Sequence, residues 1–165
     1  MKKVLVVCAC GMLAATLAAA ETILSPDGQV AVTVSVENGL AWQVQRKGKE
    51  VLMPSRLGLA FKGKKPFGAF EVVNKAERTI DETWTNRLYK KEVILDYANE
   101  LTLELREKAA PNRRLDLVFR AYDGAVAFRY GIPEQPGFEL FTVTQEQKGV
   151  PLQSVFWHQA HSAEA

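Results

Sequence analysis

Val30-Ala31-Val32-Thr33-Val34-Ser35-Val36, followed by Glu37-Asn38-Gly39 and Leu40-Ala41-Trp42-Gln43-Val44, is the stretch that decides the fold. Valines at every second position, separated by small or polar residues, match the two-residue repeat of a β-strand, whose successive side chains point to opposite faces. Asn38-Gly39 is a strong hairpin signal, because both residue types tolerate the positive φ angles of a type I′ turn. Leu40, Trp42 and Val44 then alternate with Ala41, Gln43 and Gln45 in a returning strand that stops at Arg46-Lys47-Gly48-Lys49. The reading is a half-buried antiparallel hairpin, entered through the turn cluster Ser25-Pro26-Asp27-Gly28.

The same pattern recurs downstream. Leu101, Leu103 and Leu105 alternate with Thr102, Glu104 and Arg106 until Ala109-Ala110-Pro111-Asn112 breaks the run. Leu115, Leu117 and Phe119 alternate with Asp116, Val118 and Arg120 up to Asp123-Gly124, and Val126, Phe128 and Tyr130 continue beyond it as a second hairpin. No window of about 12 residues carries an amphipathic helical period bracketed by caps. Between the hairpins, residues 63–91 are polar apart from Phe67, Phe70 and Val72-Val73, and read as one edge strand with long surface loops. The expected fold is an all-β, antiparallel β-sandwich in one domain.

Before that domain, Lys2 and Lys3 precede an apolar run from Val4 to Ala19 that ends in small residues. This is the pattern of a secretory signal peptide over residues 1–20, with cleavage before Glu21. The expected location is periplasmic or secreted, with no membrane association after cleavage. Both cysteines, Cys8 and Cys10, lie in this leader, so the processed chain has no thiol for a disulfide, a zinc site or a nucleophile. Loss of Lys2 and Lys3 leaves 19 basic against 19 acidic residues. Without a basic excess to displace counterions from phosphate, nucleic acid is not an expected partner.

A glycosidase needs two carboxylates flanking the scissile bond, roughly 5–5.5 Å apart for retention or 6.5–9.5 Å for inversion. Asp81, Glu82, Glu100, Asp116, Asp123, Glu139 and Glu146 lie at expected turns or on polar strand positions, where carboxylates are ordinarily solvated. None is assigned a catalytic role. His158 and His161 are the only histidines, and their spacing lacks the i, i+4 pair with an intervening Glu of the helical zinc signature, so no metal ligand is assigned. Trp42 falls on the apolar side of its strand and reads as core. Trp84, in Asp81-Glu82-Thr83-Trp84-Thr85, reads as a loop residue and is the better candidate for stacking on a sugar; Trp157 is a further indole near the end of the chain. Sugar-contacting residues are otherwise not identified.

Several segments together resemble the amino-terminal domain of glycoside hydrolase family 97. They are Leu24-Ser25-Pro26-Asp27-Gly28, Pro54-Ser55-Arg56-Leu57-Gly58-Leu59, Asp81-Glu82-Thr83-Trp84, Asn99-Glu100-Leu101-Thr102-Leu103, Val118-Phe119-Arg120-Ala121-Tyr122-Asp123-Gly124 and Ala127-Phe128-Arg129-Tyr130. Each is short, but they follow one another in the family's order and spacing. The resemblance implies an exported bacterial α-glucosidase or α-galactosidase in which a galactose-mutarotase-like supersandwich precedes a catalytic (β/α)₈ barrel. It further implies that the catalytic carboxylates and most calcium ligands come from the barrel. No cofactor is expected in this chain, although calcium is expected in the full-length enzyme.

The resemblance divides the chain into a signal peptide over residues 1–20, the sandwich over 21–147 and a divergent or truncated tail over 148–165. It implies a non-catalytic domain, incomplete at its carboxy-terminal end, that supports the missing barrel and contributes to carbohydrate binding. The partner is then an α-glucoside or α-galactoside, met through the full-length enzyme. A free-standing periplasmic carbohydrate-binding protein and a periplasmic structural or assembly partner are the alternatives.

Overall fold

A computed structural model describes residues 20–85 and 93–147. The first hairpin stands where the alternation places it. Strands β1 (Ala20–Leu24), β2 (Val30–Ser35), β3 (Ala41–Arg46) and β4 (Lys49–Arg56) form an antiparallel sheet in that order. Strand β5 (Gly58–Phe61) leaves this sheet and pairs with the last described strand. A second antiparallel sheet is built from β6 (Phe70–Thr85), β7 (Val93–Glu107), β8 (Arg114–Ala121) and β9 (Val126–Gly131). Strand β10 (Val143–Gln147) returns to lie antiparallel to β5.

The two four-stranded sheets stack face to face, which confirms the antiparallel sandwich. The valines of β2 are the inward row of the first sheet, with Val32 and Val34 fully excluded from solvent. Opposite them lie Leu101, Leu103 and Leu105 of β7 and Leu115, Leu117 and Phe119 of β8, also fully excluded. Trp42 packs across the interface, its ring centroid 5.8 Å from Phe119 and 5.1 Å from Phe128. It is core, as its strand position implied, but its indole Nε1 is buried with no hydrogen-bond partner among the described residues.

The Ser25-Pro26-Asp27-Gly28 cluster owes its shape to short-range hydrogen bonds. The Ser25 hydroxyl donates to Asp27 Oδ1 at 2.6 Å, the Gln29 N–H donates to the same oxygen at 2.9 Å, and Gly28 takes a φ of 70°. The Asp27 N–H donates to Asp123 Oδ1 at 2.9 Å, so this turn is tied to the Asp123-Gly124 turn of the other sheet.

Two expectations need correction. The turn at Asn38-Gly39 is not a two-residue type I′ turn. With Ser35 opposite Ala41, the connection is longer, and only Gly39, at φ 93°, adopts a positive angle. The turn with both central residues at positive φ is Lys47-Gly48, at 51° and 73°, joining β3 to β4. The second correction concerns residues 63–91. An edge strand is there, but it is the 16-residue β6, paired with β7 from Phe70↔Glu107 to Thr85↔Val93, rather than long surface loops. Its polarity misled because β6 lies at the sheet margin and is solvated on both faces for most of its length, so hydrophobic alternation is not required of it. Residues 86–91 lie outside the described residues, as do the leader with Cys8 and Cys10, and the 148–165 stretch with Trp157, His158 and His161.

Candidate functional site

Three strands of the second sheet bring a set of charged residues together on the face turned away from the core. Register decides which ones meet: Arg78 of β6 stands opposite Glu100 of β7, and Glu100 opposite Arg120 of β8. Because residues directly opposite share a face, these three form a row across the sheet. Arg78 Nε donates to Glu100 Oε1 at 2.6 Å and Arg120 Nε donates to Glu100 Oε2 at 2.7 Å. Arg120 Nη1 also donates to Asp96 Oδ2 at 3.0 Å, and the Tyr122 hydroxyl donates to Asp96 Oδ1 at 3.0 Å.

Glu100 is therefore not a solvated carboxylate, as its sequence position suggested, but one that is 4% exposed. Burial by itself would raise its pKa, yet the hydrogen bonds and charges of Arg78 and Arg120 outweigh that and hold it below the ordinary value. A carboxylate kept ionised in this way is a poor proton donor at neutral pH.

Glu107, at the far end of β7, is the second buried carboxylate. Burial again pushes its pKa up, and is outweighed by Arg113, whose Nε lies 2.6 Å from Glu107 Oε2, and by the Gly68 N–H, 2.6 Å from Oε1. Arg113 also donates to the carbonyls of Lys65 and Pro66 at 2.8 Å and stacks on Phe67 at 4.6 Å from the ring centroid. The pair is a structural clamp on the 62–69 connection.

The remaining candidates are dispersed. Asp81 and Glu82 are exposed on β6, and Trp84, 45% exposed, stands on the same strand opposite Ile94 rather than in a loop. Asp123 caps the Asp27 turn, Glu139 accepts the Gly137 N–H at 3.1 Å, and Glu146 sits on β10 opposite Leu59. Asp116 is raised above the ordinary carboxylate value by burial and by Glu104, its cross-strand neighbour, with Arg114 and Arg129 offsetting part of the effect. None of these carboxylates lines the clefts beside Leu57, Trp42 or Ile23. The apolar cleft of about 260 Å³ beside Trp42 is lined by Val30, Val44, Val51, Leu52 and Val126 and offers few polar groups to orient hydroxyls. Among the described residues, no three His, Cys, Asp or Glu side chains gather where they could hold a metal ion.

Asp96, Tyr122 and Glu107 were not singled out from the sequence. The signal that could have found the first two is the register of β6, β7 and β8, since Asp96 and Tyr122 fall on the same face as the Arg78, Glu100 and Arg120 row, four positions before Glu100 and two after Arg120.

Comparison with known proteins gives a consistent picture. The family model described as Glycosyl-hydrolase 97 N-terminal matches residues 23–163. A retaining alpha-galactosidase of Bacteroides thetaiotaomicron is 23% identical over 145 residues, covering 86% of this chain and 21% of the relative. A glycoside hydrolase family 97 enzyme from Pseudoalteromonas sp. strain K8, solved in complex with acarbose, superposes with a TM-score of 0.75 at 26% identity, covering 81% of this chain and 20% of that one. A crystal structure of a beta-arabinopyranosidase gives 0.72 at 28% identity, covering 80% of this chain and 21% of that one. The chain thus spans about a fifth of the length of these relatives.

Proposed function

The chain belongs to the glycosyl-hydrolase 97 N-terminal family, and from that membership we propose that it serves as the non-catalytic amino-terminal sandwich of an exported glycoside hydrolase, supporting a catalytic part and contributing to carbohydrate binding. The observation that carries this reading is the state of its carboxylates. Among the described residues, the two that are buried, Glu100 and Glu107, are each locked to arginine, and the others are scattered over strands and turns. An acid opposed to a base or nucleophile across a glycosidic bond has no counterpart in that arrangement. The matched relatives include an α-galactosidase and a β-arabinopyranosidase, so the choice of α-glucoside or α-galactoside is assigned to the catalytic part.

The domain limits that accompany this reading are a leader over residues 1–20, the sandwich over 21–147 and a tail over 148–165. Export, to the periplasm or beyond, is supported by Lys2-Lys3, the apolar run and the small residues before Glu21. Calcium belongs, on this reading, to the full-length enzyme. Exposure of the Trp84 indole on β6 supports a sugar-stacking contact there.

Purified chain incubated with aryl α-glucosides and α-galactosides is expected to give no turnover. Hydrolysis that survives repurification and is abolished by Glu100→Gln or Glu146→Gln would overturn the proposal. Titration with panose or acarbose, followed by tryptophan fluorescence in native and Trp84→Ala chains, tests the binding contribution. A response unchanged by Trp84→Ala would remove that residue from the binding surface.

A further inference from the structure

Among the described residues, strand β6 is the margin of its sheet, and from Asn74 to Thr79 and Asp81 to Thr85 every residue is exposed. Its backbone is regular from Asn74 onward, because the only register shift against β7 lies between Val72 and Asn74. Along such a margin, the N–H and C=O groups that do not face the neighbouring strand are free to pair with another chain. Edges of this length are commonly blunted by charge, and β6 carries Lys75, Glu77, Arg78, Asp81 and Glu82. The order of those charges makes the edge self-complementary rather than self-repelling.

We propose that two copies of this chain pair through β6, antiparallel about a two-fold axis at Ile80. In this register Arg78 of each copy stands opposite Glu82 of the other, giving two equivalent ion pairs. Ala76 stands opposite Trp84, Glu77 opposite Thr83, Thr79 opposite Asp81 and Lys75 opposite Thr85. No like charges meet. Sliding by one step in either direction destroys this match. An axis at Thr79 sets Glu77 against Asp81, one at Arg78 sets two arginines against each other, and one at Asp81 sets two aspartates face to face. Like charges directly opposite are destabilising, so register is selected as well as permitted.

The side chains are available for these contacts. Arg78 is committed to Glu100 only through Nε, and 63% of its side chain remains exposed. The paired segment, Lys75 to Thr85, lies wholly within the regular part of the strand. An edge without this pattern would present a non-specific template; this one specifies a closed, two-fold pair.

Sedimentation velocity on the purified chain over a concentration series is expected to show a monomer–dimer equilibrium without larger species. Glu82→Arg, which sets Arg78 against a second arginine in both symmetric positions, is expected to raise the dissociation constant about two- to thirtyfold, given roughly 0.2–1 kcal/mol for each of the two cross-strand pairs. Glu50→Arg, the same charge change on exposed β4, is expected to leave it unchanged. Should Glu82→Arg fail to fold, hydrogen exchange of the native chain decides instead, with amides of residues 75–85 gaining protection as concentration rises. A chain that stays monomeric across the series, a Glu82→Arg dimer as tight as the native one, or exchange at 75–85 independent of concentration overturns the proposal.

Discussion

At the scale of single residues, Glu100 shows how a strand position of ordinary polarity becomes a fixed ion. Its charge is useful only while both arginines hold it. Glu100→Gln leaves Arg120 facing a neutral amide, and is expected to cost about 1–3 kcal/mol, below the figure for a fully buried pair because Arg78 and Arg120 reach solvent. Urea denaturation measures it. The pH dependence has a definite sign. Glu100 and Glu107 are both held below their ordinary value of 4.5, so the unfolded chain binds protons first, and the stability they contribute is complete above that value and lost as pH falls through their folded values. Asp116, shifted upward, acts in the opposite sense and weakens the fold as it ionises. The native chain is therefore expected to lose stability steeply below about pH 4.5, and Glu100→Gln is expected to flatten that slope. A variant with an unchanged acid limb would show that the Arg78–Glu100–Arg120 row is not linked to folding. Trp42 presents the converse case, a core ring with an orphaned donor. Trp42→Phe keeps the stacking against Phe119 and Phe128 and removes the unsatisfied N–H, so its cost is expected to stay within about 1 kcal/mol, against about 2–4 kcal/mol for Trp42→Ala, as read by chemical denaturation.

At the scale of elements, turns and strand margins carry the local information. Lys47 holds a φ of 51°, a region that asparagine tolerates better than lysine, and its backbone N–H donates to Gln29 at 2.7 Å. Lys47→Asn preserves that bond and is expected to stabilise the chain by about 0.5 kcal/mol, visible as a higher urea midpoint with an unchanged slope. A lower midpoint would mean that the lysine side chain, not the backbone, sets the turn. The 62–69 connection is organised differently. Its order comes from Arg113, on the short connection between β7 and β8, which reaches across to two carbonyls and the Phe67 ring. Within the segment itself, the turn at its start is set by Gly63, at a φ of 70°, and by the Lys64 N–H donating to the Phe61 carbonyl at 3.3 Å.

At the scale of the whole molecule, the two four-stranded sheets share one core, with Trp42 of the first touching Phe119 and Phe128 of the second. Among the described residues, each sheet buries its apolar row against the other, so they should be lost together. Unfolding followed by tryptophan fluorescence and by far-ultraviolet circular dichroism is expected to give coincident transitions. Separated transitions would show that one sheet survives alone.

The alternation of Val30 to Val36 and of Leu101 to Leu105 was enough to establish an all-β antiparallel chain, because a buried face and a two-residue repeat admit few other readings. The second hairpin at Asp123-Gly124 was equally legible, and the structure joins its strands through residues 122–125, with the Tyr122 N–H donating to the Ala125 carbonyl at 2.9 Å. Strand β6 was not, because a margin strand solvated on both faces carries no alternation to read. The state of Glu100 was hidden for a related reason. Its partners lie 22 and 20 positions away along the chain, and only the register of three strands brings them together. Local pattern determines which residues point inward, whereas the choice of neighbours is made by pairing across the sheet, and that pairing depends on contacts far apart in sequence.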